Sequence, residues 1–360
     1  MTRESAPVDI LLRLSQVEGL TVRHLHRLRE ADRTPFIPGM EEESGGSILQ
    51  RAIDALSSPG AEENARRIRD ACDRSGVRIV PLGSDEYPPL LRSIPDAPLV
   101  LYRAGEDVAW ENTVAIVGSR APTEAAVEFA GLLAADLASA GWTVVSGMAR
   151  GIDTAAHEGA LRGGGSTLAV LGCGVDMVYP PEAFDLRMRI LRRGALLSEY
   201  PPGALPLPWR FPARNRIMSG VSRGVVVVEA ASRSGALITA RYALDQGREV
   251  MAVPGNPLFP HTAGSNRLIR EGAVPVTGAG DVTAALGWVP PAPPEGSRER
   301  RILDFLSEAR RVDEIADALN LPAAELLPCL LEMELGKLLE RGTGDYYKRL
   351  SDIPGGISRT

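Results

Sequence analysis

Seven short, strongly apolar runs recur at residues 113–117, 143–146, 167–171, 195–198, 224–229, 249–253 and 273–276. Between most of them lie amphipathic stretches, such as residues 123–140, 154–161 and 236–245. A run like Val225-Val226-Val227-Val228 has no polar alternation, so it suits a strand covered on both faces. Strands that alternate with helices predict a parallel, doubly wound α/β sheet. Two further short strands, at 77–81 and 99–103, flank the Pro-rich connection Tyr87-Pro88-Pro89-Leu90-Leu91 and lead into that region.

The flanks read differently. From residue 8 to 72 the chain is Arg-rich with apolar residues at helical spacing, first Ile10, Leu11, Leu14 and Val17, then Leu20, Leu25 and Leu28. A Pro/Gly loop interrupts the pattern at 35–46, and residues 1–75 are expected to form a small helical domain. Gly19 marks a turn between two short helices, either an ordinary interhelical turn or a hairpin that presents backbone N–H groups to a phosphate. At the other end, residues 289–297 carry four prolines, which cannot sustain helix or sheet hydrogen bonding and predict a semi-rigid spacer. Beyond it, helices at 298–308, 313–319 and 323–335 followed by a hairpin-like segment at 337–347 predict a winged helix. The expected organisation is thus a helical domain at 1–75, a Rossmann-like domain at 76–287, a linker at 288–297, a winged-helix-like domain at 298–350 and a disordered tail at 351–360.

A net charge of −6 gives no whole-molecule field that would draw the chain to a polyanion, so any such site must be a local patch. Only two of the 40 basic residues are lysine, Lys337 and Lys348. Cys72, Cys173 and Cys329 are odd in number and scattered, which fits neither a disulfide framework nor a zinc site and favours a reducing cytoplasm. Arg13 directly follows Leu11 and Leu12, so no signal-peptide core is expected, and no apolar run approaches the ~18 residues of a membrane span.

In a doubly wound sheet, ligands bind at the carboxyl ends of the strands. Four loops there are unusual. Val117-Gly118-Ser119-Arg120 precedes a helix start, where a hydroxyl, backbone N–H groups and a guanidinium fork suit a phosphate. The second, residues 146–157, contains Asp153 as a potential helix cap and His157 one turn inside, a histidine read as structural. The third, residues 171–180, holds a G-x-G that lacks the third glycine; with no P-loop in the chain, dinucleotide and ATP binding are disfavoured. The fourth is the strongest. Residues 204–223 contain Arg210, Arg214, Arg216 and Arg223, no acid, and the aromatics Trp209 and Phe211. Arginine for phosphates with aromatic faces for unstacked bases is what single-strand binding uses. The alternative is that Phe211 packs beneath the loop and the arginines pair with acids such as Glu199 and Glu229. Ser232-Arg233-Ser234-Gly235 before the next helix favours the polyanion reading.

Four motifs in this order, Val117-Gly-Ser-Arg120, Ser146-Gly-Met-Ala-Arg-Gly-Ile-Asp-Thr-Ala-Ala-His157, Phe211-Pro-Ala-Arg-Asn-Arg216 and Ser234-Gly-Ala-Leu-Ile-Thr-Ala240, resemble the DNA-processing protein A (DprA/Smf) family. The resemblance implies an extended Rossmann domain between a SAM-like or helix-hairpin domain and a winged helix. It also implies a dimer that binds single-stranded DNA without sequence preference, protects incoming strands and loads the RecA recombinase during natural transformation, with no cofactor and no catalysis. Carried over, the binding residues are Ser119, Arg120, Arg210, Phe211, Arg214, Asn215, Arg216, Arg233 and Ser234. The family often has a basic residue where this chain has Ala213. If Arg120, Arg210, Arg214 and Arg216 each neutralise one phosphate, log K against log salt should fall with a slope of about −2.8.

Two other classes compete. Phosphoribohydrolases resembling lysine decarboxylases share the Gly-Ser turn, but they use a Pro-Gly-Gly-x-Gly-Thr loop with a following glutamate. Here Ser234-Gly-Ala-Leu-Ile-Thr239 supplies no general acid or base. A winged-helix transcription factor would need a basic recognition helix, yet residues 323–335 hold Glu325, Glu332 and Glu334 and no basic residue. A protein-contact or dimer-modulating role suits that domain better.

Overall fold

The structure is a computed structural model that describes residues 8–17, 20, 45–288, 293–335, 338–342 and 344–350. Gly19, part of the Pro-rich spacer and the segment 351–360 lie outside the described residues. The chain divides into two compact units, Met1–Leu286 and Gly287–Thr360.

The first unit opens with helices α1 (Val8–Leu14), α2 (Gly45–Ser57) and α3 (Pro59–Ser75). Strands β1 (Arg78–Pro81) and β2 (Val100–Gly105) follow, and then β3 (Thr113–Val117), α4 (Glu124–Ser139), β4 (Thr143–Ser146), α5 (Ile152–Arg162) and β5 (Thr167–Leu171). The unit continues through α6 (Phe184–Arg193), β6 (Ala195–Ser198), α7 (Arg210–Gly220), β7 (Gly224–Val227), α8 (Ala236–Asp245) and β8 (Glu249–Ala252), and closes with α9 (Ala263–Arg270), β9 (Val274–Pro275) and α10 (Ala279–Ala285).

The strands form one sheet in the order β1-β2-β6-β5-β4-β3-β7-β8-β9. From β6 to β9 all pairings are parallel, and β1 and β2 add an antiparallel edge. Successive residues of one strand enter opposite cores, as two-sided burial requires: Leu168 and Val170 pack on one face, Ala169 and Leu171 on the other. The first core also takes Ile217, Met218 and Val221 of the α7 segment and Ala236, Ala240 and Ala243 of α8. Leu11, Leu12 and Leu14 of α1 and Ala65, Ile68 and Cys72 of α3 share the second core with Val100, Tyr102 and Leu196. The amino-terminal helices are therefore integrated with the sheet, which revises the expectation of a separate small domain over 1–75.

The chain leaves β3 toward β4, β5 and β6 on one side and resumes with β7 on the other side. That reversal opens a crevice beyond the carboxyl ends of β3 and β7, the place where doubly wound sheets bind ligands.

The second unit comprises α11 (Arg298–Phe305), β10 (Arg310–Arg311), α12 (Val312–Leu319), α13 (Ala323–Leu335), β11 (Leu339–Arg341) and β12 (Tyr346–Arg349). Three helices and a small sheet ordered β10-β12-β11 enclose a core of Ile302, Leu303, Ile315, Leu326, Leu330, Met333 and Tyr347, a winged-helix arrangement.

Candidate nucleic-acid site

The crevice is a cavity of about 670 Å³ whose walls include Ser119 and Arg120 after β3, Asp153 of α5, Phe211 of α7, and Arg233 and Ser234 before α8. Its floor is built by hydrogen bonds that tie the loops together. The Ser119 N–H donates to the Glu229 backbone carbonyl at 2.7 Å, and the Ile152 N–H donates to the Ser119 carbonyl at 3.2 Å. Buried Glu229 accepts from the Thr123 hydroxyl at 2.8 Å and from the Thr123 N–H. Thr123 in turn caps α4 by accepting from the Ala126 N–H. The glycine of the first loop serves this packing: a Cβ on Gly118 would meet the Ile152 side chain at 2.6 Å.

The basic stretch read as a loop is mostly helix, because Arg214, Ile217, Met218 and Val221 fall on one buried face at helical spacing. This geometry sorts its arginines. Arg214 is only 2% exposed, and its Nη1 donates to the carbonyls of Gly147 (2.8 Å) and Val170 at the ends of β4 and β5. Gly147 leaves the space for it, since a Cβ there would lie 2.5 Å from Nη2. Burial pulls Arg214 down to about 10, so it is still a cation at neutral pH. Burial likewise pushes the Asp153 carboxyl up, opposed by the charge of Arg214 and by the Ala149 N–H. Asp153 accepts from the N–H groups of Gly147 (3.2 Å) and Ala149 (3.3 Å), fixing a turn in which Met148 adopts a left-handed φ of 57°.

Arg216 is gripped by Glu199 in a bidentate pair (2.6 and 2.9 Å) and by Asp96 at 3.2 Å, which holds its charged form far above the ordinary range. Asn215 donates to the Gly235 carbonyl at 3.4 Å and joins α7 to the loop before α8. Arg214, Asn215 and Arg216 thus shape the site from behind. The expectation that Arg214 and Arg216 reach phosphates is met differently by the two: Arg214 lines the cavity but is almost wholly buried and bonded to carbonyls, and Arg216 is paired with two acids and is not part of the cavity lining. Of the two acids suggested as arginine partners, Glu199 takes Arg216, whereas Glu229 serves Thr123 and lies 3.8 Å from His261.

Besides the buried Arg214 and Asn215 in its wall, the crevice is faced by Arg120 and Arg233, both exposed, and by the partly exposed Ser119, Phe211 and Ser234. Arg120 lies over the Phe211 ring at 5.7 Å, and Tyr179 stands against the same ring at 5.1 Å. The Ser119 hydroxyl accepts from the Ala121 N–H at 3.2 Å, and the Ser234 hydroxyl accepts from the Ala236 N–H at 3.3 Å, so each keeps its proton to donate. Arg210 is held by the Leu205 carbonyl at 2.8 Å and stacks on Tyr200 at 4.4 Å. Tyr179 and Asp153 were not foreseen as site residues. The Tyr179-Pro180 pair at the end of the third loop and an acid at the start of α5, soon after Gly147, were the available signals.

His157 is fully buried. The Thr167 hydroxyl donates to the Val144 carbonyl (2.7 Å) and therefore accepts from His157 Nδ1–H (2.7 Å), which fixes the neutral tautomer. Burial pushes its pKa down to about 3. Among the described residues no cluster of three or more metal-ligating side chains occurs, and no helix is long and apolar enough to cross a membrane.

A doubly wound sheet with a cationic, aromatic crevice at its switch point, followed by a winged helix, defines a class of nucleic-acid-handling proteins. The family profile of DNA recombination-mediator protein A matches residues 78–287, and that of the DprA winged helix domain matches residues 288–345. The chain belongs to the DNA recombination-mediator protein A family. Protein Smf of Escherichia coli is 39% identical over 358 residues, covering 94% of this chain and 95% of that protein. The X-ray structure of DNA processing protein A from Streptococcus pneumoniae superposes with a TM-score of 0.63 at 36% identity, covering 78% of this chain and 98% of that one. The structure of the Helicobacter pylori protein, described for its single-stranded DNA binding mode, gives 0.53 at 29% identity over 58% and 95% of the two chains.

Proposed function

We propose that this chain is a recombination mediator that binds single-stranded DNA without sequence preference in the crevice beyond β3 and β7. In this reading it acts in the cytoplasm as a homodimer, protects the incoming strand and delivers it to a RecA recombinase during natural transformation, without catalysing a reaction on the strand. The observation that carries the reading is the Arg120–Phe211–Tyr179 stack at the rim of a crevice that also presents Arg233 and two hydroxyl donors. A guanidinium beside an exposed ring engages a phosphate and the face of an unpaired base together, and a base face is common to all four nucleotides. Ser119, Arg120, Phe211, Arg233 and Ser234 are the proposed contacts in the crevice, Arg210 is a proposed contact beside it, and Arg214, Asn215 and Arg216 hold them in place.

The same geometry weighs against hydrolysis. Asp153, the carboxylate in the cavity lining, and the buried Glu229 behind the first loop are both engaged by backbone N–H groups of the loops they shape. One feature favours the phosphoribohydrolase reading: Asp153 lines the cavity with its carboxyl pushed upward, as a general acid would be. Anisotropy titration of a labelled single strand and its duplex, with wild type and Arg120→Ala, tests the proposal. Single-strand preference that weakens in the variant supports it. Equal affinity for both nucleic acids in both proteins, together with release of base from a nucleoside monophosphate, overturns it.

A further inference from the structure

We propose that Trp209, with Tyr200 and Arg210, forms a second base-stacking platform for the bound strand, outside the crevice that holds Phe211. The inference rests on the single-strand reading above and extends the path of that strand. Trp209 is a large aromatic side chain with 53% of its surface exposed, at the head of α7. Its backbone is already in the right-handed helical region (φ −72°, ψ −21°), so Trp209, Arg210 and Phe211 step around the start of the helix at roughly 100° per residue. Side chains two positions apart therefore point in nearly opposite directions. Phe211 turns toward Tyr179 and Gly172, while Trp209 turns toward Tyr200, whose ring meets it edge-on at 6.3 Å.

Between them, the Arg210 guanidinium rests 4.4 Å from the Tyr200 ring centre and 5.1 Å from that of Trp209, and the Leu205 carbonyl fixes it at 2.8 Å. The cluster is thus built before any ligand arrives. It is continuous with the crevice, because Pro206 and Pro208 line the cavity wall and Pro208 immediately precedes Trp209. The occupant follows from the charge. Residues 204–223 contain no acid, and Glu199, the acid next to Tyr200, is taken up by Arg216. An exposed indole with a fixed guanidinium beside it suits an unpaired base attached to a phosphate. A strand that stacks one base on Phe211 inside the crevice would cross the head of α7 and stack another on Trp209.

The test uses the full chain and a short oligothymidylate. Intrinsic tryptophan emission reports on Trp209 directly, and Trp110, Trp142 and Trp288 remain in every variant as the internal reference. Wild-type emission is expected to be quenched on titration. Trp209→Leu should lose that quenching and bind about 5- to 140-fold more weakly, the loss of one base–aromatic stack. Trp209→Phe, which keeps a ring, should bind more tightly than Trp209→Leu. If Trp209→Leu retains both affinity and quenching while Arg120→Ala loses affinity, the platform is refuted and the crevice stands. If Trp209→Leu changes only the sedimentation mass, the patch is a protein contact and the proposal is likewise overturned. If neither wild type nor any variant binds the strand, the single-strand reading itself fails.

Discussion

Replacing Arg214 by methionine should destabilise the fold, where replacing Arg120 by alanine should only loosen its grip on DNA. Methionine retains apolar bulk but donates nothing, so the carbonyls of Gly147 and Val170 lose their donor and the buried Asp153 carboxyl loses the nearby cation. Removing one member of a buried charged arrangement costs about 3–5 kcal/mol. At about 2 °C per kcal/mol for a unit of this size, the melting temperature should fall by about 6–10 °C. Arg120 is exposed, and its truncation should stay within about 0.5 kcal/mol. Its effect belongs in the salt dependence. Arg120, Arg210 and Arg233 at one phosphate each give a slope of about −2.1, short of the −2.8 or so of four contacts that include Arg214 and Arg216. Arg120→Ala should reduce the slope by a further ~0.7. Thermal melts and anisotropy titrations across a salt series measure both quantities on the same three proteins. An Arg214→Met protein that melts with wild type yet loses ~0.7 of slope would refute the assignment of Arg214 to the scaffold.

The remaining predictions concern the same scaffold and the second unit. His157 has a folded pKa of about 3 against an ordinary 6.5, so the unfolded chain binds the extra proton between these values and stability rises with pH across that window. Urea melts should therefore find wild type about 3 kcal/mol less stable at pH 4.5 than at pH 7.5 on this account, and His157→Gln should lack that component; parallel pH profiles would contradict it. Gly147→Ala places a methyl against the Arg214 guanidinium and should cost about 1–3 kcal/mol, with a smaller cost in an Arg214→Met background, measured as a double-mutant cycle. A protein comprising residues 288–350 should show no tight, salt-sensitive duplex binding in anisotropy titrations, because α13 carries Glu325, Glu332 and Glu334 with Leu327 and Leu331 exposed.

Much of the sheet was legible because its strands are covered on both faces. Burial on two sides removes polar alternation, so Val225 to Val228 and residues 167–171 announce themselves as strands. Parallel pairing then follows from the intervening helices, and the reversal at β3 puts the site where Gly118 and Ser234 lie. The fate of individual arginines was far less legible. Arg210, Arg214 and Arg216 look alike in a list, and an acid-free stretch with prolines reads as loop. The helical register was nonetheless present: Arg214 shares the spacing of Ile217, Met218 and Val221, which marks it for the interior. No local signal could reveal its acceptors, since Gly147 and Val170 are brought to it by two other strands. The amino-terminal helices were misjudged for a similar reason. Amphipathic periodicity states that a face will be buried but not against what, and here the cover is the sheet itself.

The division among the arginines explains how an acidic chain can hold a polyanion. At physiological ionic strength charges are screened beyond about 8 Å, so the overall charge of −6 matters less than what lies within one such length of the crevice. The acids of the loops that build the crevice are engaged by the fold itself: Glu229 with Thr123, Asp153 with the β4–α5 turn, Glu199 with Arg216. Each of these bonds also fixes a loop, so building the crevice and occupying its carboxylates are the same act. Arg214, in the cavity wall but only 2% exposed, adds a cation held by the strand-end carbonyls, while on the proposed reading Arg120 and Arg233, at the surface, are the ones that meet a phosphate. On the proposed reading, capture then depends on short-range geometry around Phe211 rather than on a long-range field, and that is the condition under which an unpaired base, flexible enough to be splayed onto a ring, is preferred over a stacked duplex.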